Sequence, residues 1–370
     1  MKIAYRSGAL VAAAVLSLSL AACSADNEPS APAPSSTGGT SAPAGLSGTL
    51  NGAGASSQES AMDAWRAAFQ DANPDLTINY DPVGSGGGRT AFLDGSVAWA
   101  GSDSALSEEE YTTAQTICGP DGAINLPVYI SPIAVVFNVE GVTSLNLDAA
   151  TIAKIFDGKI TKWNDPAIVA LNDGATLPDL AITPVHRSDD SGTTKNFTDY
   201  LEQAGGGAWG YEADGVWPIG SGESGEGTSG LIDVVTNTPG TIGYADASKA
   251  GTLGVASIQV GDAFNAPSAE GAATALATSE LKEGNGANDL AYSIDRTTTE
   301  SGAYPLLLLS YAIVCQSYED AATLANVTGF LSYVASADGQ AAAASAAGSA
   351  PLPADLSAQI ETILAGIAGA

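Results

Sequence analysis

The chain has 370 residues, of which 45% are hydrophobic, and it carries 12 basic against 41 acidic side chains, for a net charge of −29 at pH 7. This length is ample for a large core and predicts two lobes rather than one. The acidic balance argues against nucleic acid as a partner, because that binding needs a basic surface. An anionic ligand would not be steered by the overall field and would depend on local dipoles and hydrogen bonds.

The first 22 residues are typical of a secretory signal peptide. Lys2 and Arg6 precede a run of small and apolar residues that is short for a membrane span. Cys23 ends a Leu-Ala-Ala-Cys sequence that resembles a bacterial lipobox, in which the cysteine carries lipid such as palmitate; the alternative is an ordinary signal peptide with a chance cysteine. Residues 23–45 predict a disordered tether. We therefore expect a lipid anchor on the extracytoplasmic side of the cell membrane.

Two cysteines remain once Cys23 is assigned to lipid. Cys118 and Cys315 lie in a chain expected in a compartment that permits disulfides, so one disulfide is predicted. Two buried free thiols are the alternative. Closing such a long loop contributes at most about 4–5 kcal/mol in the chain-entropy model.

A first glycine-rich turn ends at Ser56 and precedes a predicted helix. Met62, Trp65 and Phe69 recur at the spacing of one helical face. Ser56 and Glu59 fit a capping box, with Glu59 at the N3 position. The glycines allow a ligand to approach the backbone closely. Because no Gly-Lys-Ser/Thr sequence follows them, a phosphate loop of the nucleotide-binding type is excluded.

A second glycine-rich turn, residues 84–88, follows a predicted strand at 76–80. A flexible glycine loop is the alternative to an anion-binding turn here. The next predicted strand, residues 97–103, ends in Asp103. An aspartate after a strand is usually a cap or turn residue, but beside an oxyanion it is tolerated only if the ligand presents a proton to it. Such a carboxylate would select protonated phosphate over sulfate.

A third segment, residues 186–201, combines an arginine with a helix N-terminus. Phe197, Tyr200 and Leu201 recur at helical spacing, and small hydroxyl residues precede them as caps. Unpaired N–H groups of the first helical turn favour an anion, and Arg187 adds a planar fork of donors. Alone, the pattern is more typical of an ordinary cap. Its repetition in three turns favours an oxyanion cradle.

Other functions have less support. His186, Asp189 and Ser191 are the residue types of a hydrolase triad, but they lie within six positions, whereas triad partners normally come from separate segments. We expect His186 to pack beside Arg187. A single histidine and no ligand-spaced cluster predict no metal site and no cofactor. A receptor for sulfate or another oxyanion, and an adhesin or signalling lipoprotein without ligand, remain alternatives.

These turns resemble those of a known family, the substrate-binding lipoproteins of Pst-type phosphate ABC importers. The matches run in the family's order over essentially the whole mature chain. They comprise residues 52–56, 84–87, 101–103, 155–160, 163–165, 187–193, 217–220, 239–244 and 351–353.

The resemblance implies a phosphate site, no enzymatic activity, and the permease and ATPase subunits of an importer as partners; we expect a monomer. It assigns phosphate binding to Ser56, Ser57, Ser85, Asp103, Arg187, Ser191, Gly192 and Thr193, with Asp189 bracing Arg187. Two positions depart from the family pattern. Ser57 stands where a bulkier residue is usual, and Asp190 where glycine is usual. The extra negative charge of Asp190 is expected to weaken binding.

The resemblance also implies an α/β, two-lobed fold like that of periplasmic binding proteins, with the ligand in the cleft. The chain would cross between the lobes twice, near 131–133 and near 303–305. Residues 46–131 plus 305–370 would form lobe I, and residues 132–304 lobe II. The apolar run from Pro305 predicts a buried strand.

Overall fold

A computed structural model describes residues 45–284 and 286–369. The predicted signal peptide, Cys23 and the tether up to residue 44 lie outside the described residues. From Gly45 onward, contacts group the chain into a single unit. The division of this unit into two lobes therefore remains a prediction.

The described residues form fifteen strands and eleven α-helices. The strands are β1 (Gly48–Gly54), β2 (Leu76–Asp81), β3 (Trp99–Ser102), β4 (Ala123–Phe137), β5 (Ser144–Leu147), β6 (Thr183–Arg187), β7 (Glu223–Gly225), β8 (Thr241–Asp246), β9 (Gly254–Val260), β10 (Ala263–Asn265), β11 (Glu280–Leu281), β12 (Tyr292–Ser293), β13 (Leu307–Cys315), β14 (Ser317–Tyr318) and β15 (Ala368–Gly369). The helices are α1 (Glu59–Ala72), α2 (Ser85–Leu93), α3 (Glu108–Cys118), α4 (Ala149–Phe156), α5 (Pro166–Val169), α6 (Gly192–Ala204), α7 (Gly227–Asn237), α8 (Ala269–Ala277), α9 (Ala321–Ala335), α10 (Ala337–Ala347) and α11 (Ala354–Gly366).

One large mixed sheet organises the described chain. Its main path has the strand order β2-β1-β3-β13-β4-β8-β6-β7, and β9 joins it beside β4 together with β5 and β10. β1 is parallel to β2 and β3, and β6 is parallel to β7 and β8. Ligands of open α/β sheets bind beyond the carboxyl ends of parallel strands. The turns after β1, β2, β3 and β6 are therefore the positions where a site is expected.

Two long, fully buried strands connect the two parallel groups. β4 pairs antiparallel with β13 as far as Pro132, and from Ile133 onward it pairs with β8. A proline has no N–H to donate to a ladder, so it suits the point where the strand changes partner. This point lies within the predicted first crossing.

The predicted helix after the first turn is confirmed. α1 buries Met62, Trp65 and Phe69, and the Trp65 Nε1–H donates to the Gly339 carbonyl oxygen at 2.7 Å. This contact brings α10 against the apolar face of α1. The helix is thereby fixed to the sheet through the C-terminal part of the chain.

The predicted strands form with small shifts. β2 covers the predicted strand at 76–80, and β13 covers the apolar run and is buried throughout. β3 begins at Trp99 instead of residue 97, and the Ala98 N–H just before it donates to the Asn51 carbonyl oxygen of β1. The predicted disulfide is confirmed: Cys118 at the end of α3 is bonded to Cys315 at the end of β13.

Candidate functional site

The turn after β1 places serine side chains in the interior. A 3₁₀ turn, Ser56–Gln58, leads into α1, and no side chain caps either the turn or the helix. The predicted capping box is therefore wrong. The Ser56 Oγ instead accepts a hydrogen bond from the Thr228 N–H at 3.0 Å. A contact with the first turn of α7 has taken the place of the local cap.

The turn after β2 begins a helix. α2 begins at Ser85, directly after Gly84, whose φ of +88° is accessible to glycine at little cost. The glycine-rich segment is thus largely helical, and the alternative of a flexible loop is wrong. The Ser85 Oγ is buried and accepts from the Asp103 N–H at 3.1 Å. This bond joins the second turn to the end of β3.

Asp103 lies at the centre of the cluster. It is 3% exposed, and its carboxylate accepts hydrogen bonds from three hydroxyl groups. Ser57 Oγ lies 2.7 Å from Oδ1 and 2.8 Å from Oδ2, Ser310 Oγ lies 2.7 Å from Oδ1, and Thr193 Oγ1 lies 3.1 Å from Oδ2. A carboxylate has about four lone-pair positions, whereas three hydroxyls supply one proton each. Ser57 Oγ is shared between both oxygens, so one acceptor position becomes available when this hydroxyl donates to a single oxygen.

Burial changes the acidity of this carboxyl group. It raises the pKa of Asp103 above its usual range, against the opposing hydrogen bonds of Ser310, Ser57 and Thr193 and the charge of Arg187. A desolvated carboxylate gains more than an exposed one from a proton placed beside it. The site therefore favours a ligand that carries an acidic O–H.

Arg187, the last residue of β6, supplies the positive charge. Its Nε donates to Asp189 Oδ1 at 2.8 Å and its Nη2 donates to Oδ2, while the Gly227 N–H donates to Oδ1 at 3.0 Å. Burial would raise the pKa of Asp189, but the hydrogen bonds and charge of Arg187 outweigh it and lower the pKa. Asp189 thus braces Arg187, as predicted. In the described part of the chain, Nη1 of Arg187 has no hydrogen-bond partner.

The N-terminus of α6 approaches the same cluster. Ser191 is the N-cap, and its Oγ accepts from the Thr194 N–H at 3.2 Å. The N–H groups of Gly192 and Thr193 lie in the first turn, where no intrahelical acceptor exists for them. A Cβ at position 192 would clash with Ser85 Oγ and with the Asp103 side chain. Glycine is therefore required for this close approach between the second and third turns.

All eight residues predicted to bind phosphate are buried. Hydrogen bonds join Ser57, Ser85 and Thr193 to Asp103, and the Gly192 backbone lies against the same groups. Their individual contacts with a ligand remain a prediction. They are Ser56, Ser57, Ser85, Asp103, Arg187, Ser191, Gly192 and Thr193.

Three residues that contact the cluster around Asp103 or Ser56 were not predicted from the sequence. Ser310 is a hydroxyl residue inside an apolar strand. This polar position was the one feature of the sequence that could have indicated its role. The β13–β4 register shifts between Ser310 and Tyr311, and such bulges redirect side chains. Asn196 Nδ2 donates to the Asp103 carbonyl oxygen at 2.6 Å, and Thr228 contacts Ser56; neither residue stood in a recognisable motif.

The hydrolase alternative gains no support from the contacts of His186. Its Nδ1 lies 2.8 Å from the Arg187 carbonyl oxygen, and its ring stacks on Trp217 at 5.2 Å between centroids. The ring therefore packs beside Arg187, as expected.

Residues 45–284 and 286–369 contain no group of three or more side chains able to hold a metal ion. Within the same residues, no helix combines the length and apolarity needed to cross a bilayer.

Comparison with known proteins identifies the family. Residues 39–338 match the family model described as PBP superfamily domain. The phosphate-binding protein PstS3 of Mycobacterium bovis is 42% identical over 290 residues, which cover 76% of this chain and 77% of the relative. PstS2 of the same organism is 38% identical over 341 residues, which cover 90% of each. The chain belongs to the PstS family of phosphate-binding proteins.

Solved structures agree with the fold of the PstS family. A high-affinity periplasmic phosphate-binding protein (PfluDING), solved with phosphate, has a TM-score of 0.69 at 22% identity over 85% of this chain and 93% of its own. A phosphate-binding protein from Stenotrophomonas maltophilia has a TM-score of 0.65 at 21% identity, over the same shares of each chain. The predicted α/β fold of periplasmic binding proteins is confirmed.

Of the two departures from the PstS-family pattern, Ser57 lies in the cluster around Asp103, whereas Asp190 lies beside α2 with a partly exposed side chain. Ser57 stands where a bulkier residue is usual, and its hydroxyl donates a hydrogen bond to the Asp103 carboxylate. The Asp190 Oδ2 lies 3.4 Å from Arg89 Nη2, and the Gly86 N–H donates to the Asp190 carbonyl oxygen at 3.1 Å. The charge of Asp190 thus has a cationic partner on α2. The same guanidinium is also held by Glu110, with Nε 2.8 Å from Oε1.

Proposed function

We propose that this protein binds inorganic phosphate with high affinity outside the cytoplasm and delivers it to the permease of a Pst-type ABC importer. The observation that carries the proposal is that Asp103 and Arg187 are both buried and that the charge of Arg187 acts on the Asp103 carboxylate. Asp103 can accept a ligand proton in place of one of the two Ser57 contacts, and Arg187 has a free donor for a charged oxygen. Phosphate near neutral pH offers both, whereas sulfate offers no proton.

Each turn would contribute donors to the phosphate oxygens. We assign hydroxyl and amide contacts to Ser56 and an amide contact to Ser57, with the Ser85 hydroxyl from the second turn. Ser191, Gly192 and Thr193 would contribute from the N-terminus of α6, where the helix dipole favours an anion. Local dipoles and a single guanidinium then hold the ligand in a strongly acidic protein.

The proposal extends to location and partners. Cys23 would carry lipid and anchor the protein to the membrane through the tether of residues 23–45. The partners would be the permease and ATPase subunits of the importer, and the protein would act as a monomer. Lobe I (46–131 plus 305–370) and lobe II (132–304) would close over phosphate. Support comes from the lipobox, from the change of partner strand at Pro132, and from the relatives' names.

Calorimetric titration of the purified, phosphate-stripped protein tests this function. Phosphate should bind at one site, and sulfate at the same pH and ionic strength should give no binding heat. Equal affinity for both anions would favour a receptor for oxyanions in general. Binding of neither would favour the alternative of an adhesin or signalling lipoprotein that has the fold without the ligand.

A further inference from the structure

A cavity of about 150 Å³ lies beside the cluster around Asp103. Its wall includes Asp103 and Asn196, which belong to that cluster, and three cationic residues, Lys195, Lys282 and Arg296. Lys195 extends from the first half of α6, and Lys282 follows β11. The cavity and the proposed phosphate site therefore share a wall.

Two of these cations have no acidic partner. Arg296 is neutralised by Asp199, with Nε 2.8 Å from Oδ2. Among the lysines of the described residues, Lys159, Lys162 and Lys249 form ion pairs. Lys154, Lys195 and Lys282 have none in that part of the chain. Two of the three unpaired lysines therefore face the same small cavity.

The unpaired charges are unusual in a protein of this composition. Removal of the predicted signal peptide, which holds Lys2 and Arg6, leaves 10 basic against 41 acidic residues and a net charge of −31. A field of this sign opposes the approach of an anion. The cavity wall holds three cations against two carboxylates, those of Asp103 and Asp199. Such a local excess of positive charge raises the local concentration of anions and increases their association rate.

We propose that Lys195 and Lys282 form an entry subsite, which attracts the phosphate dianion and passes it to the cluster around Asp103. The inference rests on the proposed function and deepens it. Lysine is a mobile point charge and lacks the planar fork of arginine, so it suits a transient contact. The subsite therefore acts on the association rate and leaves the dissociation rate of bound phosphate unchanged.

Two double variants with the same change in net charge test the subsite. K195Q/K282Q removes the cavity lysines, whereas K154Q/K162Q removes two lysines elsewhere. Rapid filtration with ³²P-phosphate measures association and dissociation at about 0.01 M and about 1 M salt, where the Debye length falls from about 30 Å to about 3 Å. At low salt K195Q/K282Q should associate roughly three- to tenfold more slowly than wild type, which is at or below the lower end of the roughly 10- to 1000-fold range of electrostatic steering. This difference should disappear at high salt.

K154Q/K162Q, the control pair, should slow association by less than about half of the effect of K195Q/K282Q. Its two lysines lie away from the cavity, so their charges act on the ligand only through the overall field. Equal slowing by both pairs would mean that only net charge matters and would overturn the subsite. A change confined to dissociation would also overturn it. K195R/K282R keeps both charges and should retain the wild-type association rate, so slowing by this variant would also overturn the subsite. Failure of the wild type to bind phosphate would overturn both the subsite and the proposed function.

Discussion

Replacing Asp103 with asparagine separates the charge of this side chain from its shape. The amide has nearly the same volume, but it offers one acceptor oxygen and a donating NH₂ group. The surrounding hydroxyls of Ser57, Ser310 and Thr193 both donate and accept, so they can turn to satisfy the amide. We therefore expect D103N to fold normally and to differ from wild type mainly in its choice of anion.

The size of the effect follows from the hydrogen bonds of Asp103. The acceptor position that Ser57 shares between both oxygens would face an unprotonated oxygen if sulfate were bound, at a side chain with 3% exposure. Leaving a buried charged group without its partner costs about 2–5 kcal/mol, which is about 30-fold to several thousand-fold in affinity. D103N removes this penalty and can donate to sulfate. The ratio of sulfate to phosphate dissociation constants should therefore fall by at least about 30-fold.

The same substitution should also change the pH dependence of stability. The folded-state pKa of Asp103 is raised above 3.8, so ionisation disfavours the folded state. Its contribution to the free energy of unfolding decreases as the pH rises from 3.8 through the folded-state pKa. Ligand-free D103N should therefore be at least as stable as wild type at pH 7, and the difference should become smaller at lower pH.

Calorimetry with both anions and thermal unfolding of the stripped proteins provide the two measurements. D246N is a matched control, because Asp246 is also fully buried with a raised pKa but lies outside the cluster. It should leave the anion ratio unchanged. An unchanged ratio in D103N would remove Asp103 from the site, and a large loss of stability at pH 7 would refute the hydrogen-bond argument.

Three further substitutions test other parts of the site and the anchor. R187A should weaken phosphate binding by about 30-fold to several thousand-fold, because it removes a charged donor from a desolvated cluster; calorimetry showing less than about tenfold would contradict this. D190N should change the phosphate dissociation constant by less than about fivefold, since Arg89 already pairs with this exposed charge, whereas a larger gain would mean that Asp190 repels the ligand. C23A should abolish lipid attachment, so persistence of the variant in carbonate-washed membranes would disprove the lipobox.

Features encoded in short stretches could be predicted from the sequence, and features made by distant contacts could not. Ser191 as the cap of α6 follows from residues within one turn of the helix, and Asp189 lies two positions from the arginine that it braces. Ser310 is 207 positions from Asp103, and Thr228 is 172 positions from Ser56. The capping box failed for the same reason, because a tertiary partner engaged the Ser56 hydroxyl that local sequence would have used.

The place of β13 in the sheet determines when the chain can complete its fold. This late strand lies between β3 and β4, and both pair with it. Until Leu307–Cys315 is available, the two earlier strands have exposed edges, which favour aggregation. Assembly that depends on such distant contacts is slow, because the entropy of closing long loops is lost first. A chain ending before Leu307 would therefore lack the strand that connects its two parallel groups, and would also lack Ser310 beside Asp103.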